Sequence, residues 1–468
     1  MTTTTPQILI IIVTWNRKQY VLELLASLAT LDYPSYAYDV LVIDNASNDG
    51  TAVAIKAAYP QVNLICNSEN IGGTGGFNTG LQWAFEQPPE RYQYLWLLDN
   101  DVLVHHRALT ELLALLEKQP DIALAGSTIM QLDYPWRINE MGAFIDRNLG
   151  QLILNRHLET ISLWQGCSVQ ELLTTEVDLS KYLVQCQPYM DVEYVAAASL
   201  LVCANVAKQA GLWRDYFIHF DDVEWCLRIV DKKSHRIVVS AKSLVWHLSA
   251  AAKVPTWVLY YDNRNVLDLL KAHGADAATL RRLIRYILKK AVYYYLIGKP
   301  DLAQLHYDAI ADFTAGYLGK KDIKLTFTTY QPNDKVMSVL LEPTVKKILV
   351  AWTVNLQATR LQETLVQVRL KRPELSIDFL TLQGDDVKIQ IPFARFVFMP
   401  KSFTRWKIYW QLRGRYDLVI QSDYQPSFGL SWLKADLLYV NNEGFCCYPP
   451  PKLRDVLRAG MRWIRSFF

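Results

Sequence analysis

Two aspartates, Asp99 and Asp101, close the apolar run Tyr94-Leu95-Trp96-Leu97-Leu98. The run reads as a buried strand, and the acids stand at its carboxyl end. Side chains at i and i+2 on extended chain point the same way. Two carboxylates so placed repel unless a cation lies between them, and Mg²⁺ or Mn²⁺ bridging the phosphates of a nucleotide would serve. Taken alone, Asp99-Asn100-Asp101 is also ordinary turn material. A second acidic pair, Asp221-Asp222, follows the aromatic stretch Tyr216-Phe217-Ile218-His219-Phe220 and enters an amphipathic helix containing Trp225. Such a pair is either an N-terminal helix cap or a general base held in a partly desolvated cleft. His247 ends a third run, Ser243-Leu244-Val245-Trp246, where a histidine is most often a satisfied polar residue.

The elements that must position these residues alternate. Strands are expected at 8–13, 40–43, 62–66 and 94–98, with helical periodicity between them in Val21, Leu24, Leu25 and Leu28, and after them in Leu109, Leu112, Leu113 and Leu116. Strand–helix alternation implies a parallel sheet with helices on both faces. Each strand then delivers its polar loop to one edge, where ligands bind in open α/β sheets. Thr14 to Arg17, Asp44, Asn70 to Gly76 and the Asp99–Asp101 string should meet there. Arg17 could hold a phosphate or a base, and Asp44 could accept from a base N–H or a ribose hydroxyl. The glycine-rich Ile71-Gly72-Gly73-Thr74-Gly75-Gly76 would let backbone approach a ligand at a helix N-terminus, or simply form a flexible turn. It is neither a dinucleotide fingerprint nor a P-loop, and the first strand ends in Thr-Trp-Asn-Arg, which disfavours a dehydrogenase.

Residues 8–250 resemble a family 2 glycosyltransferase of the GT-A fold. The resemblance is carried by Thr14-Trp15-Asn16-Arg17, Asp44-Asn45-Ala46-Ser47, Asn70 through Phe77, and Asp99-Asn100-Asp101 in the DXD position. The Gly-Gly-x-Gly-Gly-Phe string looks most like the galactofuranosyltransferases, with bacterial rhamnosyltransferases as close relatives. Those galactofuranosyltransferases commonly carry three acids in a row, whereas here the centre is Asn100. The resemblance implies an inverting, metal-dependent enzyme. Asp99, Asp101 and His247 would be ligands of Mn²⁺ or Mg²⁺, and Asp222 the base, with Asp221 orienting it or touching the acceptor. Thr14, Arg17, Asp44, Asn70, Gly73, Asp99 and Asn100 would line the nucleotide-sugar site, and Trp225 and Trp246 the acceptor side. The donor would be UDP-galactofuranose first and dTDP-rhamnose second. The acceptor would be a surface polysaccharide or lipid-linked glycan, built in the cytoplasm on the inner face of the membrane.

The 468 residues allow two or three domains. A catalytic domain is expected over 1–255, with 131–190 an acceptor-side insertion or a plain surface excursion. A helical segment over 256–324 follows, in which Arg264 reaches a phosphate or starts a helix. The basic amphipathic stretch 280–299 packs on the core or lies on a membrane. After a linker over 326–346 comes a smaller α/β, Rossmann-like domain over 345–448, then a basic amphipathic tail over 449–468 that docks on a membrane or folds back on the protein. The net charge of +3 argues against nucleic acid as a partner. Seven cysteines without zinc or disulfide spacing suit a reducing compartment. Two readings of other kinds stay open. One is a non-catalytic nucleotide-sugar-binding scaffold. The other is a nucleotidyltransferase, against which stand the missing glycine in Thr14–Arg17 and the unexplained Asp221-Asp222 and Trp246-His247.

Overall fold

A computed structural model describes residues 7–230, 235–248, 256–325, 331–332, 335–354, 360–382, 391, 393, 395–400, 405–441 and 444–467. Contacts divide the chain into two units, one of 1–253, 264–280 and 312–321, the other of 254–263, 281–311 and 322–468. The helical segment 256–324 is therefore not a unit of its own.

The first unit opens with β1 (Ile8–Thr14), α1 (Lys18–Leu28), β2 (Tyr38–Asp44), α2 (Thr51–Ala58), β3 (Asn63–Cys66), α3 (Gly72–Phe85) and β4 (Tyr94–Asp99). β1 is apolar at nearly every position because both its faces are covered. Leu9 and Ile11 join one core cluster, and Ile8, Ile10 and Ile12 the other. The chain continues through β5 (Val102–Val104), α4 (Ala108–Lys118), β6 (Ile122–Gln131), β7 (Ile138–Glu140), β8 (Ala143–Asp146), β9 (Gln151–Leu154) and α5 (Val169–Leu172). It ends with β10 (Tyr189–Val192), β11 (Leu200–Cys203), α6 (Ala204–Ala210), α7 (Asp221–Val230) and β12 (Arg236–His247).

The main path of the sheet runs β10-β12-β6-β11-β4-β1-β2-β3. β1 to β4 are parallel as expected, but β11 lies antiparallel between β4 and β6. The sheet is thus mostly parallel, with an inserted strand that strict alternation does not foresee. Segment 131–190 is no surface excursion: Trp164, Leu172 and Leu179 sit in the main core, and β7 pairs with β6.

Helices α8 (Val258–Ala272), α9 (Ala277–Leu296) and α10 (Pro300–Ala315) follow. α9 turns Leu283, Ile287, Ala291 and Tyr294 inward, so the basic stretch 280–299 packs by its apolar face. In the second unit, β13 (Gln331–Pro332) and α11 (Val336–Leu340) occupy the region expected as linker. α11 buries Val336 and Leu340 in the second unit's core, a role its short length hides in the sequence. β14 (Lys347–Ala351), α12 (Leu361–Lys371), β15 (Ser376–Leu382), β16 (Arg395–Met399), α13 (Arg405–Leu412), β17 (Leu418–Ser422), α14 (Phe428–Ser431), β18 (Asp436–Val440), β19 (Gly444–Tyr448) and α15 (Leu453–Arg465) complete it. The order β13-β19-β18-β17-β14-β15-β16 is a parallel core with antiparallel β19 and β13. Asp385-Asp386, an acidic pair to which the sequence assigns no role, lies outside the described residues.

Candidate active site

Asp99 is the last residue of β4, while Asn100 and Asp101 form a turn rather than extended chain. The two carboxylates converge all the same. The register β12–β5 pairs His247 with Val102, and β12–β6 pairs it with Gln131, which sets the imidazole beside the turn. His247 Nε2 lies 3.0 Å from Asp101 Oδ1 and 4.0 Å from Asp99 Oδ2. One ligand atom from each of the three residues falls within 4.8 Å of the others. Two carboxylates and one imidazole at that spacing, open to solvent on the Asp99 side, are a hard-to-borderline donor set suited to Mn²⁺ or Mg²⁺.

Asn100 has a structural task. Its Nδ2 donates to Thr14 Oγ1 at 2.9 Å, tying the turn to the end of β1. The centre of the acidic string is thus engaged by β1, while the ligand set is made by the residues on either side of it and His247.

Asp222 is set by an unusual loop. Phe217, His219 and Phe220 all have φ between 64° and 69°, a region costly for residues other than glycine. The loop is braced from several sides. Asn265 Nδ2 donates to the carbonyls of Ile218 and His219 at 2.8 and 2.9 Å, and Arg264 donates to those of Tyr216 and Gly319. The Thr74 N–H donates to the Phe217 carbonyl at 3.2 Å. Gly72, at φ +78°, must be glycine because a Cβ would lie 2.0 Å from that same carbonyl oxygen. Strain of this kind, held by its surroundings, marks a segment whose geometry matters more than its stability.

From this loop α7 starts with the acidic pair. Asp221 is buried and accepts from the Thr74 hydroxyl; burial raises its carboxyl pKa. Asp222 stays partly accessible, and its Oδ2 accepts from the Tyr194 hydroxyl and the Ala197 N–H, each at 3.2 Å. Its pKa is pushed up to about 8, first by desolvation, then by the Asp221 charge and, less, by that of Asp99. A carboxyl tuned towards neutrality is the kind a base for an alcohol requires.

Three side chains here escape a reading of the sequence. Thr74 and Tyr194 are the donors to Asp221 and Asp222. Glu140 is buried, with its pKa raised to about 7 by desolvation, against which the His247 charge acts. Its Oε1 and the Oε1 of Gln131 lack hydrogen-bond partners among the described residues. Orphaned buried acceptors around the His247 strand fit a site that takes a cation or a hydroxyl-rich ligand. A lone Glu after Ile138-Asn139 carries no signal that could have singled it out.

Several expected roles are corrected. Trp225 and Trp246 are fully buried, their indole N–H groups given to the carbonyls of Gly211 and Pro135, so neither can face an acceptor. Arg264 is fully buried and spent on backbone carbonyls, so it cannot reach a phosphate. The glycine string is not a flexible turn but the first turns of α3. Gly76 and Gly80 let that helix lie on β1, where a Cβ would come within 2.3 Å of Val13 and 2.5 Å of Ile11. Gly73 alone in the string faces open space. Asn70 Oδ1 accepts from the Gly72 N–H and so shapes the turn. Asp44 is buried, and its carboxylate takes the Ser47 N–H. Arg17 is exposed, its guanidinium over the Tyr20 ring.

Residues 9–161 match the family described as Glycosyl transferase family 2. Galactofuranosyltransferase GlfT2 of Mycobacterium tuberculosis is 23% identical over 255 residues, covering 54% of this chain and 38% of that protein. GlfT2 of Mycolicibacterium smegmatis is 22% identical over 263 residues with the same coverage, so this chain spans well under half the length of either relative. Glycosyltransferase AglE of Haloferax volcanii is 33% identical over 85 residues, 18% of this chain and 28% of that one. Among solved structures, the mannosyltransferase PcManGT of Pyrobaculum calidifontis, in complex with GDP-Man and Mn²⁺, aligns at TM-score 0.38 and 15% identity over 67% of this chain and 77% of its own. S. aureus TarS 1–349 aligns at TM-score 0.40 and 14% identity over 66% and 80%.

Proposed function

We propose that this chain, which carries a glycosyl transferase family 2 domain, moves a sugar from a nucleotide donor onto a hydroxyl with inversion at the anomeric carbon. The observation that carries this reading is the convergence of Asp99, Asp101 and His247 together with Asp222, whose pKa is shifted towards neutrality. Asp99, Asp101 and His247 would hold Mn²⁺ or Mg²⁺. When bound, that ion supplies Lewis-acid neutralisation of the charge that grows on the departing nucleoside diphosphate. Asp222 takes the acceptor's proton as its oxygen attacks, in one displacement without a covalent enzyme intermediate. Tyr194 and the Ala197 N–H hold the Asp222 carboxylate in place, and Thr74 fixes Asp221 behind it. Gly73, open at the start of α3, offers backbone to the donor.

UDP-galactofuranose is the first donor, supported by the Gly-Gly-x-Gly-Gly-Phe string and by relatives that are galactofuranosyltransferases by name. dTDP-rhamnose is the second. The acceptor is a hydroxyl of a surface polysaccharide or lipid-linked glycan, met at the inner face of the membrane. The scaffold reading rests on Asn100 and on a second domain without an assigned role; the bond from Asn100 to Thr14 gives Asn100 a structural task, which weighs against the first of these.

The test is turnover of each donor by purified protein with Mn²⁺, with and without chelator, beside Asp222→Asn. Release of UDP or dTDP from one donor, lost with chelator and slowed about 10²–10⁴-fold in Asp222→Asn, is the expected result. Metal-dependent binding without turnover, even with acceptor glycans supplied, would favour the scaffold instead.

A further inference from the structure

The last helix of the second unit, α15, has three sectors of different character. Its inward sector buries Ala459 and half-buries Val456 and Trp463. The helix is held there from α9 and α10. Arg285 donates through Nε to the Ser466 carbonyl and lies 4.8 Å from the Phe467 ring centroid, and Arg462 lies over the Tyr307 ring. Its second sector is apolar and open. Leu453, Leu457, Met461, Ile464 and Phe467 recur at helical spacing and are each 52–60% exposed. At 1.5 Å per residue its helical part, from Leu453 to Ile464, runs about 17 Å. The third sector is basic: Arg454, Arg458 and Arg465 are exposed along the border of the stripe, and the helix itself carries one acid, Asp455. The sequence left open whether this helix closes on the protein or docks elsewhere. One face closes on the protein, and the other is left open.

We propose that the open face of α15 is a docking surface for an anionic lipid bilayer. A continuous apolar stripe left in water is unusual on a free surface. A stripe bordered by arginines fits a helix lying in the interface plane, with its apolar side chains among the acyl chains and its guanidinium groups at anionic headgroups. Charge decides among occupants. A second copy would offer these arginines only the single acid of its own α15, Asp455, whereas an anionic headgroup layer complements the stripe and its border together. Within the same unit, α13 also exposes Trp406 and Trp410 one turn apart, beside Lys407 and Arg413, residue types suited to the same interface. No described helix is long and apolar enough to cross a membrane, so contact through these helices would be peripheral. The inference deepens the proposed placement at a membrane face but does not depend on sugar transfer.

The test is flotation of the full chain with vesicles of phosphatidylcholine alone and of phosphatidylcholine mixed with phosphatidylglycerol. Wild type should float with the mixed vesicles and come off as salt rises. Leu457→Ser/Met461→Ser/Ile464→Ser should abolish flotation. Arg454→Gln/Arg458→Gln/Arg465→Gln should lower partition onto the mixed vesicles about a hundredfold while leaving the neutral ones unchanged. All six positions are exposed, so both triple variants should melt with wild type, which separates lost docking from lost folding. Wild type that stays with the soluble fraction would overturn the proposal. So would flotation indifferent to both variants, or a concentration-dependent dimer that the serine variant dissolves. Flotation needs no donor sugar, so its failure leaves the transferase reading intact, and failed turnover leaves the docking surface intact.

Discussion

Tyr194→Phe is the sharpest probe of the base. The Tyr194 hydroxyl donates to Asp222 Oδ2 at 3.2 Å in a buried setting, a bond that favours the ionised carboxyl. Hydrogen bonds to charged groups contribute about 1.5–3 kcal/mol, and at this length the low end applies. That corresponds to about one unit of pKa. Asp222, held near 8 in the wild type, would move to about 9 in the variant. A base must be ionised to act, so log kcat/KM should rise with unit slope and level off above its pKa. At pH 7 roughly a tenth of Asp222 is ionised in wild type and roughly a hundredth in the variant, a loss of about tenfold that disappears above pH 10. A cation beside Asp99 lowers both midpoints alike, so the separation between the two profiles is the readout. The assay is the pH profile of nucleoside diphosphate release at subsaturating acceptor. Identical midpoints, or a loss equal at every pH, would refute the assignment of Asp222 as the base held by Tyr194.

Other expectations follow from the same geometry. Asp222→Asn should melt above wild type at neutral pH while losing activity. The wild-type carboxyl is raised above its unfolded value, so its stabilising contribution is full below about pH 4 and is lost as pH rises through about 8, and the variant's advantage should grow across that window. Thr74→Val leaves the buried Asp221 carboxyl without its donor and should cost about 1–3 kcal/mol in a denaturant melt. Gly76→Ala places a methyl 2.3 Å from Val13 and should destabilise by about 1–3 kcal/mol, whereas Gly73→Ala meets nothing and should alter donor KM while leaving the melt unchanged.

The strands were legible because each is a short apolar run at a sheet covered on both faces. Residues 8–13 and 94–98, read as strands, lie within β1 and β4 and miss only the last residue of each. Asp99, Asp101 and Asp222 draw notice because acids that follow apolar or aromatic runs stand out, while the roles expected of them come from the family resemblance. What escaped was set by contacts distant in sequence. β11 enters the sheet antiparallel from a hundred residues beyond β4, and nothing in Leu200–Cys203 states its direction. Trp225 and Trp246 look like sugar platforms until their indole N–H groups prove to be bonded inside the core. Glu140 and Tyr194 are ordinary residues in ordinary strings, Thr74 is hidden among the glycines around it, and only the fold brings the three to the site. The glycines of the string have separate tasks that the sequence alone does not distinguish. Gly76 and Gly80 serve helix–strand contact and Gly72 a positive φ, which leaves Gly73 as the position free to meet a ligand.

The most direct test of the central claim is Mn²⁺ binding, followed by its electron paramagnetic resonance as the ion is titrated into protein with and without UDP. The account predicts one site, tightened by UDP, lost in Asp101→Asn and in His247→Ala, and retained in Asp222→Asn. Binding equal in all four proteins, or no binding in the wild type with UDP present, would contradict it.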